Sequence, residues 1–218
     1  MDRFTLGVGL LALVGIGVVA QGGDSPGVDR PLRILPPDES RYEPNLGFYH
    51  SWGGGQFLLQ NPIHDIYTGG LLPPPLGMTQ IHSFQSAAGG TFVYPGGSMP
   101  VSIFPAPVSV RVTCSSETPT TGTFQTEMLQ LDLTAPCGVM IRESPTKPST
   151  GQTTITDIGG GMYHIDSFFD VWTELSLDGG ASWIPSDYAT TMCLGPIPAP
   201  AGAGVLGIAG LLAMRRRR

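Results

Sequence analysis

From about residue 80 onward, apolar and polar positions alternate with a period of two. Val108, Val110, Val112 and Cys114 alternate with Ser109, Arg111 and Thr113, and Leu129, Leu131 and Leu133 alternate with Gln130 and Asp132. Successive side chains of a strand point to opposite faces, so this pattern predicts strands with one buried face. Thr153 to Ile158, then Gly159-Gly160-Gly161, then Met162 to Ile165 reads as a hairpin. Further on, Phe169, Val171, Thr173, Leu175 and Leu177 mark one strand face, and Asp170, Trp172, Glu174 and Ser176 mark the other. No intervening segment keeps helical spacing over ten residues. Strands with one apolar face must stack on a second layer, and Gly/Pro turns separate them here. The expectation is an all-β fold: a single antiparallel β-sandwich-like domain over residues 80–195.

Upstream the pattern fades. Residues 21–45 read as a linker, in which Leu32, Ile34 and Leu35 are isolated apolar points among Gly, Asp, Pro and Arg. Residues 46–80 mix aromatics with Gly53-Gly54-Gly55 and Pro73-Pro74-Pro75, which predicts irregular structure with short strands. Residues 21–79 thus form a loop-rich N-terminal region. Charged residues make up 13% of the 218, about half the usual ~25%. Long amphipathic helices need a charged face, which excludes a helical bundle. The 41% of hydrophobic residues excludes a wholly disordered chain.

Both ends read as addresses. Met1-Asp2-Arg3 precedes an uncharged run from Phe4 to Ala20, and Val18-Val19-Ala20 fits a signal-peptidase site, so residues 1–20 read as a secretory signal peptide with an apolar helix. At the other end Pro196-Ile197-Pro198-Ala199-Pro200 leads into an uncharged segment, 201–214, and then Arg215, Arg216, Arg217 and Arg218. Fourteen helical residues span roughly 21 Å, less than the ~30 Å hydrocarbon core. Snorkelling arginines and local thinning cover the difference. The arginine block belongs on the cytoplasmic side, which puts the body of the protein outside.

Residues 196–218 resemble the PEP-CTERM-type sorting signal of exported bacterial proteins, with Ala199 where that motif has Glu. The resemblance implies a membrane partner for residues 201–214 before processing and an exosortase-type processing enzyme. A plain C-terminal anchor is the alternative. The stretches 126–132, 141–145 and 165–180 also resemble a group of exported bacterial proteins with the same tail. That likeness spans about residues 105–195 and brings no assigned activity with it.

Residues 21–200 carry a net charge of −10. Nucleic-acid binding needs a basic footprint, which is absent. Cys114, Cys137 and Cys193 allow one disulfide in an oxidising compartment and leave one thiol, and spacing does not choose among the three pairings.

The constellations that bear chemistry are few. Ser176, Asp178, Gly180 and Trp183 match the Asp-box pattern Ser-x-Asp-x-Gly-x-x-Trp, read as a structural turn: Asp178 bonds backbone N–H groups and Trp183 packs beneath. One box in a chain this short does not build the propeller of a sialidase. Asp170, Trp172 and Glu174 share a predicted strand face at ~7 Å spacing, a possible platform for extracellular polysaccharide. A solvated sheet face is the more economical reading. Asp170 and Glu174 lie roughly 13 Å apart on a flat strand, too far for a retaining glycosidase pair. His50, His64, Asp65 and His82 are scattered without a short ligand pair, which gives zinc little support. His164 reads as packed in a strand. Asp157, Asp166, Asp170, Asp178 and Asp187 lack EF-hand spacing for calcium. Ser51 lies outside any Gly-x-Ser-x-Gly motif. The reading is therefore an exported, non-enzymatic cell-surface or extracellular-matrix protein with no catalytic residues, metal or cofactor. The alternative is a carbohydrate-binding module.

Overall fold

The computed structural model describes residues 25–198, apart from 32, 45–48 and 136–137. The signal segment 1–20 and the tail from residue 199, with the helices expected there, lie outside the described residues, as does Cys137. Thirteen strands follow one another: β1 (Val28–Arg30), β2 (Ser40–Pro44), β3 (His50–Trp52), β4 (Phe57–Thr68), β5 (Thr79–Tyr94), β6 (Gly97–Glu117), β7 (Thr121–Thr134), β8 (Met140–Glu143), β9 (Ser149–Gly159), β10 (Met162–Val171), β11 (Thr173–Ser176), β12 (Ile184–Pro185) and β13 (Thr190–Pro196). The described residues contain no helix long and apolar enough to cross a membrane.

The all-β, antiparallel expectation holds, but the sandwich is replaced by a closed barrel. Eight strands, β2, β4, β5, β6, β7, β9, β10 and β13, pair in that order, and β13 returns to β2. Met192 faces Pro44 and Pro196 faces Ser40 across this seam. Closure pairs the two strands that would otherwise be sheet edges, which two stacked sheets leave exposed. Residues 40–44 and 57–68, which the sequence pattern leaves in a linker and an irregular region, are therefore barrel strands.

Bulges set the phase of the core. In β7, Phe124 and Thr126 point inward, as do Leu131 and Leu133. The pairing with β6 slips between Val110↔Met128 and Ser109↔Gln130, which leaves Leu129 in the bulge and shifts the inward set from even to odd positions. A second slip, between Ser86↔Ala106 and Ala88↔Ile103, does the same to β6. The inner wall is mostly apolar with a few buried hydroxyls, and the charged side chains of the barrel strands lie outside, the reverse of a membrane-spanning barrel.

Strand directions define two ends. One rim gathers the start of β2, the β4–β5 loop, the β6–β7 and β9–β10 turns and the end of β13. Leu35 covers this rim: it exchanges backbone hydrogen bonds with Leu71 (2.8 and 3.1 Å), and its carbonyl accepts from His82 Nδ1 at 3.2 Å. The other end is extended. There β3 pairs with β4, and β8, β11 and β12 form a small sheet continuing from the end of β7.

Candidate functional site

The barrel interior gathers groups that lie far apart in sequence. In β4 the pairing with β5 slips between Gln60 and Ile63 and again between Asp65 and Thr68. Asn61 and Ile66 sit in these slips with φ of 47° and 52°, a region that β-branched residues rarely occupy. The second slip lets both His64 and Tyr67 line the same cavity although they are three residues apart.

A polar string threads this apolar wall. Tyr42 donates to Ser167 Oγ at 2.8 Å, and Ser167 pairs with Thr153 Oγ1 at 2.7 Å. Tyr67 accepts from the Tyr42 amide at 3.1 Å and donates to the His64 carbonyl. Ser86 donates to the Ala106 carbonyl at 3.2 Å, so its oxygen is left to accept from His64 Nδ1–H at 3.4 Å. His50 is 5% exposed and stacks on Trp52 with ring centroids 5.8 Å apart, and its Nδ1 has no protein partner. Burial pushes His50 down to about 3, with the His64 charge adding to the effect, and burial pushes His64 down to about 4. Both imidazoles are therefore neutral in the folded protein at neutral pH.

The cavity beside them has a volume of about 50 Å³, lined by Tyr42, His50, His64, Tyr67, Ser86 and Phe169 among others. At ~10–15 Å³ per water this holds a few water molecules, far below the ~300–1,000 Å³ of a typical ligand site. Chemistry there is limited. The hydroxyls lining it are spent: Ser86 and Tyr67 donate to carbonyls and Tyr42 donates to Ser167. Ser51 donates to Asp187 Oδ2 at 2.6 Å and not to a histidine. Cys114 and Cys193 are buried free thiols, and burial pushes both up, so neither is an activated nucleophile. His164 Nδ1 meets Asp29 Oδ1 at 2.7 Å and ties β1 to β10. Among the described residues no three His, Cys, Asp or Glu side chains converge as metal ligands.

The predicted sugar face is divided between two sheets. β10 ends at Val171, and Trp172 lies at the break. Asp170 stays in the barrel, where its carboxylate accepts from Thr191 Oγ1. Glu174 belongs to the small sheet and is 8% exposed. Arg142 Nε and Nη2 reach its Oε2 at 3.0 and 2.7 Å. Trp172 carries the Lys147 ammonium 3.9 Å from its ring centroid. All four residues of β11 are buried.

The Asp-box segment forms a tight turn beside this pair. Ser176 donates to Asp178 Oδ1 at 2.8 Å and accepts from the Gly180 amide at 2.8 Å. Asp178 accepts from the Ser182 amide at 2.9 Å and from Ser182 Oγ at 2.6 Å, and these bonds hold its carboxyl down at about 2. Trp183 Nε1 donates to the Gly180 carbonyl at 3.1 Å, and the Arg142 guanidinium lies 3.9 Å from the Trp183 ring centroid. Arg142 is thus held between an indole and a carboxylate. Pro198 ends the described chain, and Ala199, Pro200 and Arg215–Arg218 lie beyond it.

No family model, curated protein or solved structure matches this chain.

One cleft has no counterpart in the sequence reading. Between the β6–β7 and β9–β10 turns lies a polar cleft of about 150 Å³, lined by Arg33, Thr118, Thr120, Thr121, Asp157 and Tyr163. Arg33 sits over the Tyr163 ring at 5.7 Å and 3.7 Å from Glu117, and its Nε has no protein partner. The only sequence signals for it are an arginine in an apparent linker and a threonine-rich turn.

Proposed function

We propose that this chain is an exported cell-surface or extracellular-matrix barrel, directed outward by residues 1–20 and anchored or processed through residues 196–218. The observation that carries this reading is where the barrel stops. β13 ends at Pro196 on the rim, and the chain leaves there through Ile197 and Pro198 toward the uncharged run 201–214 and its four arginines. The barrel is thus completed by residues up to Pro196, and the reading assigns the sequence beyond it to a membrane or a processing enzyme. No catalytic chemistry enters this reading. Intact mass and peptide mapping of medium, surface and membrane fractions from the native cell test it. Loss of both ends near Ala20 and Pro200 is the expected result for a sorted protein. A membrane-bound form retaining Arg215–Arg218 would replace sorting by simple anchoring, and an unprocessed chain in the cytosol would end the proposal.

Carbohydrate binding is the second reading, and the rim cleft favours it over the Trp172 face. One guanidinium, one carboxylate, three threonine hydroxyls and an aromatic ring suit a neutral, hydroxyl-rich guest. Tyrosine fluorescence titrated with a panel of soluble glycans should respond, and Arg33→Ala should abolish the response. A silent panel would remove this reading.

A further inference from the structure

We infer that the β4–β5 loop is a lipid-contacting tip, which rests the barrel rim on the membrane surface while the C-terminal segment is in the bilayer. The inference depends on the anchoring reading above for its tether, and on the following observations for the contact itself.

The chain has no Asp, Glu, Lys or Arg between Asp65 and Arg111. Within that stretch the β4–β5 loop presents Leu71, Leu72, Leu76 and Met78, each between 44% and 65% exposed. Ile158 and Ile197, exposed on the same rim, add to the patch. Single exposed leucines need no explanation, but a group on one rim beside an apolar tail does.

The loop holds these side chains outward on a fixed frame. Leu71 is paired with Leu35, the Met78 amide bonds the Pro75 carbonyl at 2.9 Å, and the Gly77 amide bonds the Cys114 carbonyl at 3.0 Å. Pro73, Pro74 and Pro75 fix the backbone between these ties.

Geometry selects the occupant. β13 ends at this rim with Pro196, and five Cα–Cα steps lead from there to Ala201, where the apolar run begins. Fully extended, they reach at most about 18 Å at ~3.6 Å per residue. The barrel strands β4 and β5 have 12 and 16 residues, which at a tilt of ~40° put the opposite end roughly 30–40 Å away. The rim with the leucines is therefore the end that a tethered barrel brings to the lipid. An uncharged tip also suits this approach: residues 21–200 carry −10 overall, and a tip sharing that acidic surplus would meet the repulsion of an anionic headgroup layer.

The test uses the full chain reconstituted in phosphatidylcholine/phosphatidylglycerol vesicles, with Leu72→Trp and Leu76→Trp as separate reporters. Both positions are more than half exposed, so a larger ring is accommodated. Trp52, Trp172 and Trp183 lie at the extended end and serve as an internal reference. A tip buried ~5–10 Å into the headgroup boundary brings the added indole within reach of shallowly brominated acyl chains, so its excess fluorescence should fall about twofold. The native tryptophans should be unaffected. If the protein floats with the vesicles but the added indoles stay open to aqueous iodide and blind to brominated lipid, the tip proposal is overturned and anchoring stands. If the protein does not float, the anchoring reading falls and takes the tip with it. Iodide protection that rises with protein concentration without vesicles would assign the patch to a second copy and also overturn the proposal.

Discussion

Arg142 is the place to disturb the extended end. Its guanidinium reaches Glu174 Oε2 at 3.0 and 2.7 Å and lies 3.9 Å from the Trp183 ring centroid. The Glu174 side chain is 11% exposed and that of Arg142 is 35% exposed. Arg142→Ala leaves a nearly buried carboxylate without its cation. Breaking a fully buried pair costs ~3–5 kcal/mol, and the partial exposure of Arg142 lowers this to roughly 2–3 kcal/mol. Loss of the stack on Trp183 adds about 0.5–1 kcal/mol. A domain of this size loses ~2–4 °C per kcal/mol, so Tm should fall by roughly 5–16 °C. Urea unfolding should show a lower midpoint with an unchanged slope. Glu174→Gln in the Arg142→Ala background removes the stranded charge and should recover at least half of the loss. The reasoning fails if the single change costs less than about 0.5 kcal/mol, or if the double variant is no more stable than Arg142→Ala.

Three further outcomes are expected. The folded state keeps His50 and His64 unprotonated down to about 3 and 4, whereas the unfolded chain takes up protons near the ordinary 6.5. Stability should therefore be unaffected by these groups above pH 6.5 and fall below it, by up to ~1.4 kcal/mol per pH unit for each histidine; His50→Phe should flatten the fall between pH 6 and 4, and an identical slope would refute the account. Glu143 is pushed up to about 7, chiefly by burial, so its ionisation opposes folding as pH rises from 4.5 through 7. Glu143→Gln should stabilise by about 1 kcal/mol at pH 8, a figure reduced for its partial exposure, and by nothing at pH 4 in paired urea titrations. A Cβ on Gly151 would lie 2.0 Å from the Phe168 carbonyl oxygen and 2.9 Å from Thr126 Oγ1; Gly151→Ala must part β9 from β10 at a cost of about 3 kcal/mol, and a wild-type circular-dichroism melt would disprove that contact.

The sequence was legible where strands alternate without interruption. Val108, Val110, Val112 and Cys114 are all buried, and the Gly159–Gly161 segment joins β9 to β10 as the pattern predicts. Leu129 misleads because a bulge takes it out of phase, and bulges depend on the partner strand. β2, Ser-Arg-Tyr-Glu-Pro, has no apolar alternation: it is held by backbone pairing to β13 and by Tyr42, so nothing local marks it. β4 hides its phase behind two bulges, which is also why His64 reads as scattered, and His50 reaches the interior from the separate short strand β3. The sugar face fails to read as a single face because a strand that changes sheet at Trp172 looks continuous in sequence. The rim cleft needs Arg33 to meet residues about 90 and 125 positions away, a long-range fact with no local trace.

The seam between β2 and β13 sets an order of events. Ser40 and Pro196, its outermost partners, are 156 positions apart. Bringing such ends together costs about 4–5 kcal/mol of chain entropy before the contacts form. The strand that completes the cylinder is also the last to leave the ribosome and, on the exported reading, the last to cross the translocation pore. Until residue 196 emerges, β2 and one edge of β10 have no β13 to pair with. On that reading the chain travels as an open, threadable ribbon, and it becomes a cylinder only after its whole body has arrived on the far side.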